Sequence, residues 1–111
     1  MARNGFPNYG GGNMQQLMRQ AQKMQQDMLK KQEELQNRTY TATSGGGMVT
    51  AEVTGGKELT ALTINPECVD PEDVEMLQDM ILSAVNAALR EAVETTEKEM
   101  GRITGGMNLG I

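Results

Sequence analysis

Arg19, Lys23 and Lys30 recur at steps of four and seven residues. At roughly 100° per residue they fall within about 40° of one another on one face of a helix. A row of cations at that pitch can neutralise phosphates in turn without reading bases. Lys31, Arg38 and Arg102 are weaker candidates for the same contacts. The net charge of −5 conceals the asymmetry behind this row. Residues 1–38 hold six basic and three acidic side chains, whereas residues 39–111 hold four basic and twelve acidic ones. Screening over about 8–10 Å lets an acidic protein with a basic limb engage a polyanion locally. Charge alone, however, reads as solvation of exposed helix faces.

Other chemistry finds few residues. The chain has no His, which excludes imidazole metal sites and Ser/His or Cys/His nucleophile pairs. Cys68 stands alone, as a structural or incidental thiol. Gly45-Gly46-Gly47-Met48-Val49-Thr50 lacks the Lys-Ser/Thr of a phosphate loop and leads into a strand, so hairpin glycines account for it. The acidic set Glu67, Asp70, Glu72, Asp73, Glu75 and Asp79 matches no Ca²⁺ loop; helix capping and solvation explain most of it. No enzyme, cofactor or metal is expected.

The elements that must carry the basic row follow from periodicity. Residues 1–12 read as a flexible Gly-rich lead, with Phe6 and Tyr9 as docking side chains. Asn13 is the expected cap of a first helix, with Gln16 in the reciprocal position. Met14, Leu17, Ala21, Met24, Met28 and Leu35 form a heptad seam on the face opposite the cations, broken where Lys31 takes an apolar slot. Residues 39–44, 49–54 and 59–64 alternate or are rich in β-formers, and Gly45–Gly47 and Gly55-Gly56 separate them, predicting a three-stranded antiparallel meander. The stretch from Asp70 to Met100 then organises the chain. Asp70 is placed as its cap and Pro71 at its first helical position, and Val74, Leu77, Ile81, Ala84, Val85, Ala88, Ala92 and Val93 line one face. Such a helix would run about 45 Å. The tail beyond Gly101 is expected not to hold a regular helix.

One domain fits in 111 residues. Aromatics are limited to Phe6, Tyr9 and Tyr40, with ten Met residues in their place. A chain this short around so long a helix would struggle to bury enough apolar surface alone, which predicts a homodimer. No apolar run approaches a membrane span and the N-terminus lacks a secretory h-region, so a cytoplasmic location is expected.

Several blocks together resemble the YbaB/EbfC family of bacterial nucleoid-associated proteins. They are the Leu17-Met18-Arg19-Gln20-Ala21-Gln22-Lys23-Met24 run, Gly45-Gly46-Gly47-Met48-Val49, the Gly55 hairpin, Ile64 through Leu77, and Glu99 through Met107. The likeness covers residues 13–107 in collinear order, with 1–12 as lead and 108–111 as tail. Asn65 and Gln78 stand where the family commonly has acidic residues, and Leu109 where it often has proline. The resemblance implies an α+β fold, α-β-β-β-α, assembled as a tweezer-like homodimer whose N-terminal helices bind duplex DNA with little sequence preference. It also implies a nucleoid location and recombination or replication proteins as partners. The alternative is an assembly adaptor that works through the Met-rich seam, its DNA affinity incidental.

Overall fold

The computed structural model describes the backbone of residues 2–107 and the side chains of residues 13–104. The order is α1 (Ala2–Asn37), β1 (Thr39–Ser44), a 3-10 turn at Gly45–Gly47, β2 (Val49–Thr54), β3 (Leu59–Ile64), a second 3-10 turn at Pro66–Cys68, and α2 (Val74–Met107). The strands form one antiparallel sheet ordered β1-β2-β3. Tyr40 faces Val53 and Ala42 faces Ala51 across the first pair, while Ala51 faces Leu62 across the second. The β1–β2 connection turns through Gly46 at φ 68°, a left-handed conformation open to glycine at no steric cost.

The core lies between the central strand and α2. Val49, Ala51 and Val53 alternate inward and are fully buried, as are Ala84, Ala88 and Ala92. A stripe of alanines every fourth residue removes the bulk that would hold the helix off the sheet. Leu77, Ile81, Val85 and Leu89 flank the stripe and are half-buried. Helix α2 covers β1 and β2. β3 is left open: every residue in it is exposed except half-buried Ile64, and Leu59 and Leu62 are among the exposed large apolar side chains.

Three expected boundaries are corrected. Helix α2 begins at Val74, not beside Asp70, and Asp73 caps it by accepting from Met76 N–H at 3.2 Å. Asp70 and Pro71 belong to a preceding turn, in which Asp70 Oδ1 accepts from Glu72 N–H and Asp70 O from Asp73 N–H, both at 2.9 Å. The helix also continues past Gly101 to Met107. Glycine lowers helix propensity by about 1 kcal/mol, and the partial burial of Met100, Ile103 and Thr104 opposes that loss. Helix α1 runs back to Ala2, so Asn13 lies inside it with an exposed side chain rather than at its cap; glycines at 10–12 weaken a helix without forbidding it. The side chains of Phe6 and Tyr9, and the tail at 108–111, lie outside the described residues.

Candidate nucleic-acid interface

Helix α1 reaches beyond the body as an arm, and the chain extends 87 Å along its longest axis. The seam residues near the root are the ones that pack: Leu35 is buried, and Met24 and Met28 are half-buried. Farther out, Met14, Leu17 and Met18 are more than half exposed. Arg19, Lys23 and Lys30 are all exposed, and among the described residues none of them enters an ion pair. The three therefore share one solvent-exposed face of the arm, with Asp27 between Lys23 and Lys30.

Lys31 and Arg38 are placed differently. Lys31 Nζ lies 2.9 Å from Glu99 of α2 and 3.6 Å from Glu34. Arg38 donates to Glu99 at 2.6 Å through one guanidinium nitrogen and to Glu34 at 2.7 Å through the other. Glu99 thus takes both cations on a side chain only 17% exposed. Hydrogen bonds from Arg38 first, then Lys31, hold its carboxyl down at about 2. The same contact with Glu99 raises Arg38, with Glu34 adding to it, and raises Lys31 as well. Arg102 is exposed on α2.

Sequence reasoning passes over Glu99, because it is one of twelve acidic residues after position 38. Two local signals call for a carboxylate beside these cations without saying which residue supplies it. Glu34 precedes Arg38 by one helical turn, and Lys31 sits in an apolar seam slot, where a cation requires a partner. Lys57 is passed over as well. It takes a left-handed φ of 67° and lines, with Gln32, Leu35, Gln36, Gly55, Gly56 and Thr96, a cleft of about 360 Å³ at the root of the arm. Among the described residues no cluster of His, Cys, Asp and Glu is placed to hold a metal ion, and no helix is long and apolar enough to cross a membrane.

The sequence model of the YbaB/EbfC DNA-binding family matches residues 10–107. The chain belongs to that family. A nucleoid-associated protein of Clostridium acetobutylicum is 57% identical over 109 residues, covering 98% of this chain and 97% of its own. One from Ruminiclostridium cellulolyticum is 59% identical over 108 residues, covering 96% and 94%. The crystal structure of an uncharacterized protein from Helicobacter pylori superposes with a TM-score of 0.65 at 27% identity, covering 81% of this chain and 95% of that one. The α-β-β-β-α order is thus the YbaB/EbfC fold, and the family is one of DNA-binding proteins.

Proposed function

We propose that this YbaB/EbfC protein is nucleoid-associated and binds duplex DNA with little sequence specificity through the α1 arms of a homodimer. One observation carries the reading: Arg19, Lys23 and Lys30 form an exposed cationic row that the described carboxylates leave free, whereas Lys31 and Arg38 are already held by Glu99. Arg102, exposed on α2, is a supplementary contact. Such contacts go to phosphate and fix register without reading sequence. The acidic body repels DNA and confines it to the arms. The names of the relatives support a nucleoid location.

Support for two copies comes from the open half of the sheet. Leu62 pairs with buried Ala51 and so points to the same face as α2, yet it remains 39% exposed, with Leu59 beside it. A second α2 laid there would close a two-fold core and present two arms together.

Fluorescence anisotropy of labelled duplexes at graded salt tests the reading. Three cations per protomer neutralise about six phosphates per dimer, giving log K against log salt a slope near −5. AT-rich and GC-rich probes should differ far less than low and high salt. A steep preference for one sequence with a shallow salt slope would overturn it. Exposed Met14, Leu17 and Met18 favour a second reading, in which the arm docks a recombination or replication protein and DNA affinity is incidental. Failure of the pure protein to bind duplex near physiological salt would move that reading ahead.

A further inference from the structure

The root of the arm is held from three sides, and none of these contacts uses the exposed cationic row. Buried Leu35 plugs α1 onto the body. The β2–β3 turn meets the end of α1, where Gly55 N–H donates to the Arg38 carbonyl at 3.0 Å and Gly56 N–H to the Gln36 carbonyl at 3.3 Å. These bonds satisfy acceptors of the kind that a helix C-terminus leaves without partners. Glu99 of α2 completes the joint, with Lys31 at 2.9 Å and Arg38 at 2.6 Å. Positions 31 and 38 are about two helical turns apart, so one carboxylate fastens a two-turn length of the α1 end to α2. One ion pair leaves a helix free to pivot about it; two on one shared, half-buried carboxylate restrict that pivot.

We propose that Glu99 is a positioning residue for DNA binding. By fastening Lys31 and Arg38 to α2 it presets the angle at which the arm presents Arg19, Lys23 and Lys30. This rests on the arm-binding reading above. The lever is long: Arg19 stands about 18 Å along the helix from Lys31, so a 20° tilt at the root carries it about 6 Å. That displacement exceeds the reach of a hydrogen bond. Lys31 and Arg38 act on the joint rather than on phosphate, and their charge is absent from the salt slope.

The test uses the full chain carrying Glu99→Gln. Spin labels are placed through Gln16→Cys on the arm and Glu91→Cys on α2, in a Cys68→Ser background. Excess unlabelled chain leaves one labelled copy per dimer. The expected result is a broadened distance distribution between the labels, with dimer mass and circular dichroism retained. DNA binding should weaken about tenfold, as when the competent arm population falls to about a tenth, while the salt slope stays unchanged. Glu99→Asp, which keeps the charge, should recover most of both effects, and Arg38→Gln, which cuts the joint from the other side, should reproduce them.

An unchanged distance distribution would overturn the proposal, as would broadening with undiminished DNA affinity. Tighter binding with a steeper slope would overturn it differently, showing that Glu99 only withholds two cations from phosphate. A slope reduced by about two in Arg38→Gln would likewise make Arg38 a phosphate ligand. Failure of the arm-binding reading is separable, because it appears in the unsubstituted protein as absence of DNA binding.

Discussion

Two glycine-to-alanine substitutions, alike in chemistry and opposite in setting, measure how closely the β2–β3 turn meets α1. A Cβ added at Gly55 would collide with the Leu35 carbonyl oxygen and lie 2.7 Å from its carbonyl carbon, both backbone atoms. Carbon atoms in contact stand about 3.5–4.0 Å apart, so the turn must retreat by roughly 1 Å. That retreat stretches the bonds from Gly55 to Arg38, now 3.0 Å, and from Gly56 to Gln36, now 3.3 Å. Losing two backbone hydrogen bonds, with the acceptors of the α1 end left poorly paired, costs about 2–4 kcal/mol. A Cβ added at Gly101, inside α2, would meet nothing within 4 Å. Alanine there should stabilise by about 1 kcal/mol through helix propensity alone. Urea denaturation at one protein concentration compares the two, since the stability of the proposed dimer would depend on concentration. Equal effects of the same sign, or a Gly55→Ala change below about 0.5 kcal/mol, would refute the close-approach reasoning.

Leu62→Asp should reduce the sedimenting species to a monomer at low micromolar concentration and lower the urea midpoint, because it places a charge on the open β3 face; an undiminished dimer would locate the interface elsewhere. The Tyr40 hydroxyl is buried without a hydrogen-bond partner among the described residues. Tyr40→Phe should therefore raise the unfolding free energy by about 1 kcal/mol in urea titration, and an equal loss would contradict that. The Glu99 carboxyl is depressed from 4.5 to about 2 in the folded chain. Its stabilisation is then full above about 4.5 and is lost as pH falls toward 2. Thermal melts across that window should show Glu99→Gln losing less stability than the unsubstituted chain; parallel profiles would mean that the joint adds nothing.

The strands are legible in the sequence because alternation and glycine breaks act locally. Residues 39–44, 49–54 and 59–64 are the strands observed. The alanine stripe of α2 is legible as well, since a four-residue step survives any choice of helix end. The helix start is harder. Asp70 and Asp73 are both competent caps three residues apart, and only the turn made by Asp70 hands the role to Asp73. The other end runs against glycine propensity, which a local reading weighs without the burial of Met100, Ile103 and Thr104. At the site, the arm's cationic row can be read from spacing, but its freedom from ion pairs cannot. The engagement of Lys31 and Arg38 depends on Glu99, more than sixty residues away, which no local pattern announces. Function comes from several blocks resembling one family, since the charge pattern alone suits any solvated helix.

Binding of duplex DNA by a protein carrying Arg19→Glu, Lys23→Glu and Lys30→Glu together tests the central claim most directly. All three side chains are exposed, so circular dichroism and dimer mass should be unchanged. Fluorescence anisotropy near physiological salt should detect no binding to any duplex at concentrations that saturate the unsubstituted protein. Binding as tight as the unsubstituted protein's, with the same salt slope, would contradict the account.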